Sequence, residues 1–161
     1  MLDWNTLVRE HGRAVFGVAW RILGHVQDAE DVAQEVFAEA LRQSNGASVV
    51  CWAAWLRRMA ACRAIDALRR RRVSMPLDPA QLATGKDSPP GVAEGQELEA
   101  RLREAVAELA PREAEVFWLR YFEDLSYREI ATTLGISPTA ASTALYQARQ
   151  RLEQMLIEQN P

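Results

Sequence analysis

The feature that most constrains the fold is a short stretch, residues 125–138, that carries the stop and start signals of two consecutive helices. Ser126, with Glu129 three residues later, has the spacing of a capping box that begins a helix. Gly135 can end that helix in a left-handed conformation, and Ser137 in front of a proline suits the start of the next helix. Two helices joined through a glycine turn predict a helix-turn-helix, the arrangement that places a second helix in the DNA major groove.

The second of these helices is predicted to have one apolar face and one polar face. Apolar residues recur at helical spacing and should face a core; they are Ala141, Leu145, Ala148, Leu152 and Met155 or Leu156. The opposite face offers side chains that could contact base edges or phosphates: Thr139, Ser142, Thr143, Tyr146, Gln147 and Gln150. An amphipathic helix of any small bundle would show the same pattern, but the capped turn favours a helix-turn-helix.

Positive charge is scarce in this region. No lysine or arginine lies between Arg128 and Arg149. Because phosphate neutralisation supplies most non-specific DNA affinity, we expect the second helix alone to bind DNA weakly. The arginines are instead concentrated in residues 57–72, where seven of them accompany one acidic residue, Asp66, although the whole chain carries a net charge of −3. Contact with nucleic acid is therefore more plausible from the first half of the chain.

The pattern of apolar residues and turn residues predicts an all-α protein with two small helical modules. Helices are predicted over residues 2–23, from a cap at Asp28 onward, and over residues 50–72, with a loop at 44–50. Residues 73–96 contain four prolines and little periodicity, and are predicted to be a flexible linker. The modules are thus residues 1–72 and 97–161, which the linker would separate, and their arrangement in the free chain stays open.

The helix that begins near Asp28 is predicted to have a buried stripe and an acidic side. The stripe consists of Val32, Val36, Phe37, Ala40 and Leu41, and the acidic side of Asp31, Gln34, Glu35 and Glu39. That side is either an ordinary solvated face or a docking surface for a basic partner. In the third helix, Trp52 and Trp55 stand near arginines, as suits single-stranded nucleic acid, unless both tryptophans belong to the core.

Several functional classes have little support. No apolar run is long enough to span a bilayer, and the N-terminus lacks the pattern of a signal peptide, so a cytoplasmic protein is expected. Cys51 and Cys62 are too far apart on one helix to form a disulfide. With His11 and His25 they show no spacing typical of a metal site. Without a phosphate-binding glycine loop or a nucleophile–base pair, we expect no enzyme, catalytic residue, metal or cofactor.

Three segments, in chain order, resemble parts of the bacterial sigma factors of the sigma-70 family. Residues 28–37 resemble the helix that binds core RNA polymerase. Residues 55–60 and 64–70 resemble the helix that melts and reads the −10 promoter element. Residues 109–113, 119–122, 125–131 and 134–137 resemble the module that reads the −35 element. The short length and the two modules are similar to the extracytoplasmic function (ECF) group of this family.

The resemblance implies a transcription initiation factor that binds core RNA polymerase, directs it to promoters and helps to open the DNA. Residues implied in polymerase docking are Asp28, Asp31, Val32, Gln34, Glu35 and Phe37. Those implied at the −10 element, where a base would be flipped into the loop after Ser44, are Ser44, Asn45, Trp52, Trp55, Arg58, Cys62, Arg63, Asp66, Arg69 and Arg70. Those implied at the −35 element are Ser126, Tyr127, Ser137, Thr139, Ala140, Ser142, Thr143, Tyr146, Gln147 and Arg149.

The resemblance also implies an anti-sigma factor as a partner. The chain departs from the family's usual residues in two places. Many members of the family carry basic residues where this chain has Ser142 and Ala144, and Arg-Asn where it has Ala61 and Cys62. We therefore expect weak promoter binding by the free chain and stronger binding once polymerase tethers it. The alternative interpretation is a sigma-like helix-turn-helix regulator that binds polymerase or another protein without promoter-specific initiation.

Overall fold

The computed structural model describes the backbone of residues 3–45, 49, 51–74 and 90–158. Within these residues the regular structure is entirely helical, which confirms the all-α prediction. The seven helices of this part of the chain are α1 (Trp4–Leu23), α2 (Val26–Ser44), α3 (Trp52–Ser74), α4 (Pro90–Glu108), α5 (Pro111–Tyr121), α6 (Tyr127–Leu134) and α7 (Pro138–Glu158).

Helices α1, α2 and α3 form the first module, a three-helix bundle in which α1 packs against both other helices. Val15, Val18 and Ile22 of α1 meet Val36 of α2 and Leu56 of α3 in a core where each of these side chains is fully buried. Burial of each such side chain contributes about 1.5–3 kcal/mol. This core fixes which sides of α2 and α3 remain available to a partner.

The start of α2 differs from the prediction. The helix begins at Val26 rather than at Asp28, because Nδ1 of His25 accepts a hydrogen bond from the backbone N–H of Asp28 at 3.4 Å and takes the capping role. The predicted stripe is also one residue too long, since Leu41 is 48% exposed. The prediction of burial is correct for Val32, Val36 and Ala40.

The second module contains α4 to α7, and its helix-turn-helix forms as predicted. The Ser126 hydroxyl accepts from the N–H of Glu129 at 3.2 Å, and the Glu129 carboxylate accepts from the N–H of Ser126 at 2.7 Å. Gly135 ends α6 with a φ of 66°. The Ser137 hydroxyl accepts from the N–H of Ala140 at 3.0 Å and so caps α7. The local capping signals therefore determine both ends of the turn.

The helices on both sides of the predicted linker extend into residues 73–96. Helix α3 continues to Ser74, and α4 begins at Pro90, seven residues before the predicted start of the second module. The rest of that linker and the predicted tail at 159–161 lie outside the described residues, as does the predicted helix start at Leu2.

The two modules pack against each other, whereas the linker was expected to separate them. Helix α3 contacts α4, α5 and α6. Side chains such as Leu68 of α3 and Trp118 of α5 line a shared cavity of about 290 Å³ between the modules. The expectation of separation was wrong because it rested on the composition of the linker. That composition determines reach but says nothing about the complementarity of the surfaces that the linker joins.

Candidate polymerase-binding and nucleic-acid surfaces

One candidate surface lies on the exposed side of α2. Asp31, Gln34 and Glu35 are all exposed and share one side of the helix, and we call them the acidic α2 surface. Two other predicted docking residues face inward instead. Val32 is only 3% exposed, and Phe37 is half-buried with its ring edge-on to Trp4 at 6.1 Å between centroids. Val32 therefore holds α2 on the bundle, whereas Phe37 packs against Trp4 and keeps part of its ring accessible.

Asp28, the remaining predicted docking residue, has partners within the chain. Its Oδ2 lies 3.3 Å from Nη1 of Arg71 and 3.6 Å from Nδ1 of His25. These residues line a polar groove of about 490 Å³ between α2 and the C-terminal end of α3, and Arg70 lines it too. Asp31 and Glu35 line the same groove, near Arg70 and Arg71, but neither forms, within the described residues, an ion pair like that of Asp28 with Arg71, so their carboxylates remain available to a basic partner.

The residues predicted at the −10 element divide into two sets on α3. The first set lies along one side of the helix, with a gap of eight residues between Trp55 and Arg63, and we call it the accessible α3 stripe. It consists of Trp52, Trp55, Arg63, Asp66 and Arg70. Both tryptophans are half-buried against the core and touch edge to face at 5.6 Å, while Asp66 and Arg70 are exposed. Aromatic edges next to arginine are suited to contact with unpaired bases and phosphates.

The second set, Arg58, Cys62 and Arg69, lies beside this stripe, and Cys62 and Arg69 contact the second module. Cys62 Sγ lies 2.7 Å from a carboxylate oxygen of Glu115 in α5. Burial and the neighbouring Glu115 carboxylate raise the pKa of the Cys62 thiol to about 12, so it is protonated and unreactive at neutral pH. The Arg69 guanidinium donates to backbone carbonyls at the end of α4. Nε of Arg58 is buried and has no hydrogen-bond partner among the described residues.

The loop between α2 and α3 is described only at its ends. The Ser44 hydroxyl donates to the carbonyl of Leu41 at 2.8 Å, and the exposed Asn45 amide donates to the same carbonyl at 3.4 Å. Both side chains thus hold the C-terminus of α2. The predicted pocket for a flipped base includes residues 46–48 and 50, which lie outside the described residues.

The outer face of α7 is exposed as the sequence predicted. Its members, which we call the exposed α7 face, are Thr139, Ala140, Ser142, Thr143, Tyr146, Gln147 and Arg149. Tyr146 is 63% exposed, and its hydroxyl accepts a hydrogen bond from the amide of Gln150 at 3.0 Å. Of the two positions where many sigma factors carry basic residues, only Ser142 lies on this face. Ala144 is 7% exposed and faces the core.

Three further residues predicted at the −35 element lie beside this face. Ser126 and Ser137 use their hydroxyl oxygens to cap α6 and α7, yet both side chains remain exposed. Tyr127 is 39% exposed, and the guanidinium of Arg120 lies over its ring at 5.6 Å from the centroid. Arg120 is thereby held beside the turn, a basic contribution that the sequence reasoning missed because the two residues lie in different helices.

The described residues show neither a metal-binding cluster nor a membrane-spanning helix. No cluster of three or more histidine, cysteine, aspartate or glutamate side chains able to hold a metal ion occurs within the described ranges. Cys51 and Cys62 are both free thiols. None of the helices described combines the length and hydropathy needed to cross a bilayer.

Both modules are similar to parts of known proteins. Residues 7–73 match the model of sigma-70 region 2, and residues 99–152 match the model of sigma-70 region 4. Over 96% of its length the chain is 32% identical to the ECF RNA polymerase sigma factor SigF of Caulobacter vibrioides, of which it covers 89%. It is 31% identical to the ECF RNA polymerase sigma factor SigE of Mycolicibacterium smegmatis over 98% of its length, but spans only 63% of that protein.

One solved structure has a similar fold across both modules. It is the sigma factor RpoE of Bartonella quintana, solved in complex with the anti-sigma factor NepR. The superposition has a TM-score of 0.56, covers 97% of this chain and 98% of that one, and pairs residues that are 17% identical.

Proposed function

Because the chain belongs to the sigma-70 family, within its ECF group, we propose that it is a transcription initiation factor that binds core RNA polymerase and directs it to promoters through −10 and −35 elements. The observation that carries this proposal is the match of its two modules, in order, to sigma-70 regions 2 and 4. The chemistry of the surfaces agrees, since an acidic helix, an aromatic and basic stripe and a capped helix-turn-helix lie on one chain.

Polymerase docking is assigned to the acidic α2 surface. Asp31 and Glu35 are exposed one helical turn apart, so they present two carboxylates on the same side of a rigid helix. A basic partner surface would meet both at once, and the bundle core behind Val32 and Val36 keeps them in place. Complementary charge of this kind raises the association rate and fixes the orientation of the complex.

Reading of the −10 element is assigned to α3. The accessible α3 stripe carries Trp52 and Trp55 in the first turn of the helix, Arg63 about two turns after Trp55, and Arg70 two turns after Arg63. Unpaired bases would stack on the tryptophans, and the arginines would pair with the phosphates of the separated strand. Flipping a base out of the stack costs a few kcal/mol, which these contacts and the tether to polymerase would offset.

Reading of the −35 element is assigned to the exposed α7 face. This face offers hydroxyl and amide groups, and its arginine, Arg149, stands eleven residues after Pro138 at the start of α7. Such groups can hydrogen-bond base edges but neutralise little phosphate charge. The module would therefore contribute sequence preference rather than affinity, and polymerase would supply the affinity.

The same membership supports three coarser assignments. The protein acts as a binding factor rather than as an enzyme, and it works in the cytoplasm, where RNA polymerase is. An anti-sigma factor is a proposed partner, because the structurally similar RpoE of Bartonella quintana was solved in complex with one. The alternative, a sigma-like regulator without promoter-specific initiation, has the shortage of charge on α7 in its favour.

The docking assignment is tested with a charge reversal and a matched control. Asp31→Arg with Glu35→Arg should weaken binding to purified sigma-free core polymerase about tenfold or more, because it sets like charges against the partner. Glu10→Arg with Glu158→Arg makes the same change of net charge at exposed positions on α1 and α7 and should bind like the unmodified chain. Equal binding by both double variants would refute the role of the acidic α2 surface.

A further inference from the structure

A cavity between the modules has no part in the proposed function. It has a volume of about 290 Å³ and lies where α1 and α3 of the first module meet α4 and α5 of the second. None of the residues that line it belongs to those assigned to polymerase, the −10 element or the −35 element. Its size is close to the lower end of ligand-binding pockets, which span roughly 300–1,000 Å³. The cavity is therefore large enough to hold a small organic molecule.

The inner lining of this cavity is apolar. Ile22 and Val106 are buried, and Leu68 and Leu102 are half-buried. Water finds few hydrogen-bond partners in such a lining, and an apolar cavity of about 150 Å³ engineered in another protein stays dry and binds benzene. A cavity about twice that size is suited to a molecule with two fused rings.

Aromatic rings supply the rest of the lining. Trp118 of α5 is buried and stacks on Phe122 with 4.0 Å between ring centroids. Trp20 of α1 lines the same cavity but is exposed, so it lies at the opening to solvent. The indole N–H of Trp118 is buried without an acceptor among the described residues, so an acceptor atom that reaches it would remove the cost of leaving it unpaired. These rings favour a flat aromatic ligand with a polar acceptor.

The opening of the cavity carries more positive than negative charge. Two arginines and one glutamate line it, and Arg21 and Glu99 are exposed. Nη2 of Arg103 lies 3.4 Å from the Glu99 carboxylate, and Nε of Arg103 donates to the Arg21 carbonyl at 3.3 Å. Arg21 donates through Nε to the Gly17 carbonyl at 3.2 Å, and its terminal nitrogens donate to no group among the described residues. The charge of Arg21 is thus left for an anionic group of a ligand.

We propose that this cavity binds a small aromatic anion, a fused-ring molecule that carries one carboxylate. Its rings lie among Leu68, Leu102 and Trp118, and its carboxylate pairs with the guanidinium of Arg21 at the opening. Because both modules line the cavity, such a ligand binds the chain only while they are packed together, and it stabilises that packing by mass action. The site depends on this packing and not on the initiation role.

Binding is tested with 2-naphthoate and its neutral counterpart, 2-naphthamide. Isothermal titration calorimetry of the full chain should show one saturable site for 2-naphthoate. The amide has the same rings without the charge, so it should bind about tenfold more weakly, as expected for the loss of a hydrogen bond between charged groups. Absence of saturable binding would overturn the proposal. Equal affinity for the two compounds would also overturn it, because the cavity would then not select an anion.

A substitution at position 102 tests where the ligand binds. Leu102→Trp places a large ring in the cavity and should weaken 2-naphthoate binding about tenfold or more, because the ligand and the new side chain compete for one space. Leu98→Trp is the matched control one turn earlier on α4, since Leu98 is 61% exposed and does not line the cavity. This control should bind 2-naphthoate like the unmodified chain. Equal binding by the two variants would place the ligand elsewhere and refute the site.

A substitution at position 21 gives a second test, which does not depend on how the cavity tolerates a larger side chain. Arg21→Gln changes an exposed residue and leaves the backbone carbonyl that Arg103 uses. It should reduce the preference for 2-naphthoate over 2-naphthamide about threefold, whereas Arg13→Gln, at an exposed position of α1 outside the cavity, should leave it unchanged. The same preference in both variants would refute the pairing with Arg21. Binding to core polymerase is measured separately, so a failure of the proposed function would leave these results unaffected.

Discussion

Gly24 and Gly135 form a natural pair for testing whether the modules are coupled. Both end a helix with a φ of 66°. Alanine at either position should therefore cost about 1–2 kcal/mol, because its Cβ approaches the following carbonyl in the left-handed region. The surroundings differ, since a Cβ at position 135 has nothing within 4 Å, whereas one at position 24 meets the Arg103 guanidinium at 2.8 Å.

The difference between the two variants can be estimated from the Arg103 contact. Gly24→Ala should displace this guanidinium and remove its hydrogen bond to the carbonyl of Arg21. A hydrogen bond to a charged group is worth about 1.5–3 kcal/mol, which we reduce to about 1 kcal/mol for partial solvent screening. Gly24→Ala should therefore destabilise the chain by about 2–3 kcal/mol, against about 1–2 kcal/mol for Gly135→Ala.

A double-mutant cycle isolates the coupling. Urea unfolding gives the free energy of unfolding for the unmodified chain, Gly24→Ala, Arg103→Ala and the double variant, provided that all four show the same dependence of this free energy on urea concentration. In the Arg103→Ala background, Gly24→Ala should cost only the backbone penalty, so the coupling energy should be about 1 kcal/mol. Gly135→Ala should show no coupling to Arg103→Ala. If Gly24→Ala costs the same in both backgrounds, Arg103 does not lie over Gly24 in solution, and its contact with the end of α1 is refuted.

Three further predictions concern the helix-turn-helix and the thiol. Ser142→Arg, on the exposed α7 face, should strengthen binding to promoter duplexes and steepen the slope of log binding constant against log salt concentration by about 0.9, which salt titrations would measure. Ala144→Arg should unfold the module because it buries a charge, which circular dichroism would detect. Hydrogen bonds from the backbone and side chain of Ser126 lower the pKa of Glu129, so this pair should stabilise the fold above the ordinary carboxyl range and lose its effect as pH falls through the lowered pKa. Ser126→Ala keeps the backbone N–H, so it should raise the NMR-measured pKa only part of the way toward its usual value. Glu115→Gln should lower the pKa of Cys62 from about 12, which ultraviolet titration of the thiolate in a Cys51→Ser chain would detect.

The elements that the sequence predicted well are those set by local chemistry. The helix-turn-helix follows from hydrogen bonds between residues three apart, such as Ser126 with Glu129 and Ser137 with Ala140. The exposed α7 face follows from helical spacing. By contrast, His25 was not considered as a cap, because serine, threonine, aspartate and asparagine dominate that role, and Asp28 was the stronger candidate by residue type.

The contact between the modules could not be predicted in the same way. Arg69 reaches carbonyls 38 and 40 residues away, and Arg103 reaches one 82 residues away. Each bond joins a side chain to a backbone group, so no pairing of residue types reveals it. Helical spacing does not separate Arg58, Cys62 and Arg69 from the accessible α3 stripe either, since Cys62 lies two turns after Trp55 on nearly the same side of the helix. The sequence predicted α3 as a nucleic-acid helix but not which side of it the second module covers.

The measurement that tests the central claim most directly is transcription by sigma-free bacterial core polymerase supplemented with the purified chain. Genomic DNA from the organism that encodes it would serve as template, and the 5′ ends of the transcripts would be sequenced. The account predicts defined start sites that share −10 and −35 elements upstream and that disappear with the Asp31→Arg and Glu35→Arg double variant. Binding to core without defined start sites would contradict the initiation role and favour the regulator.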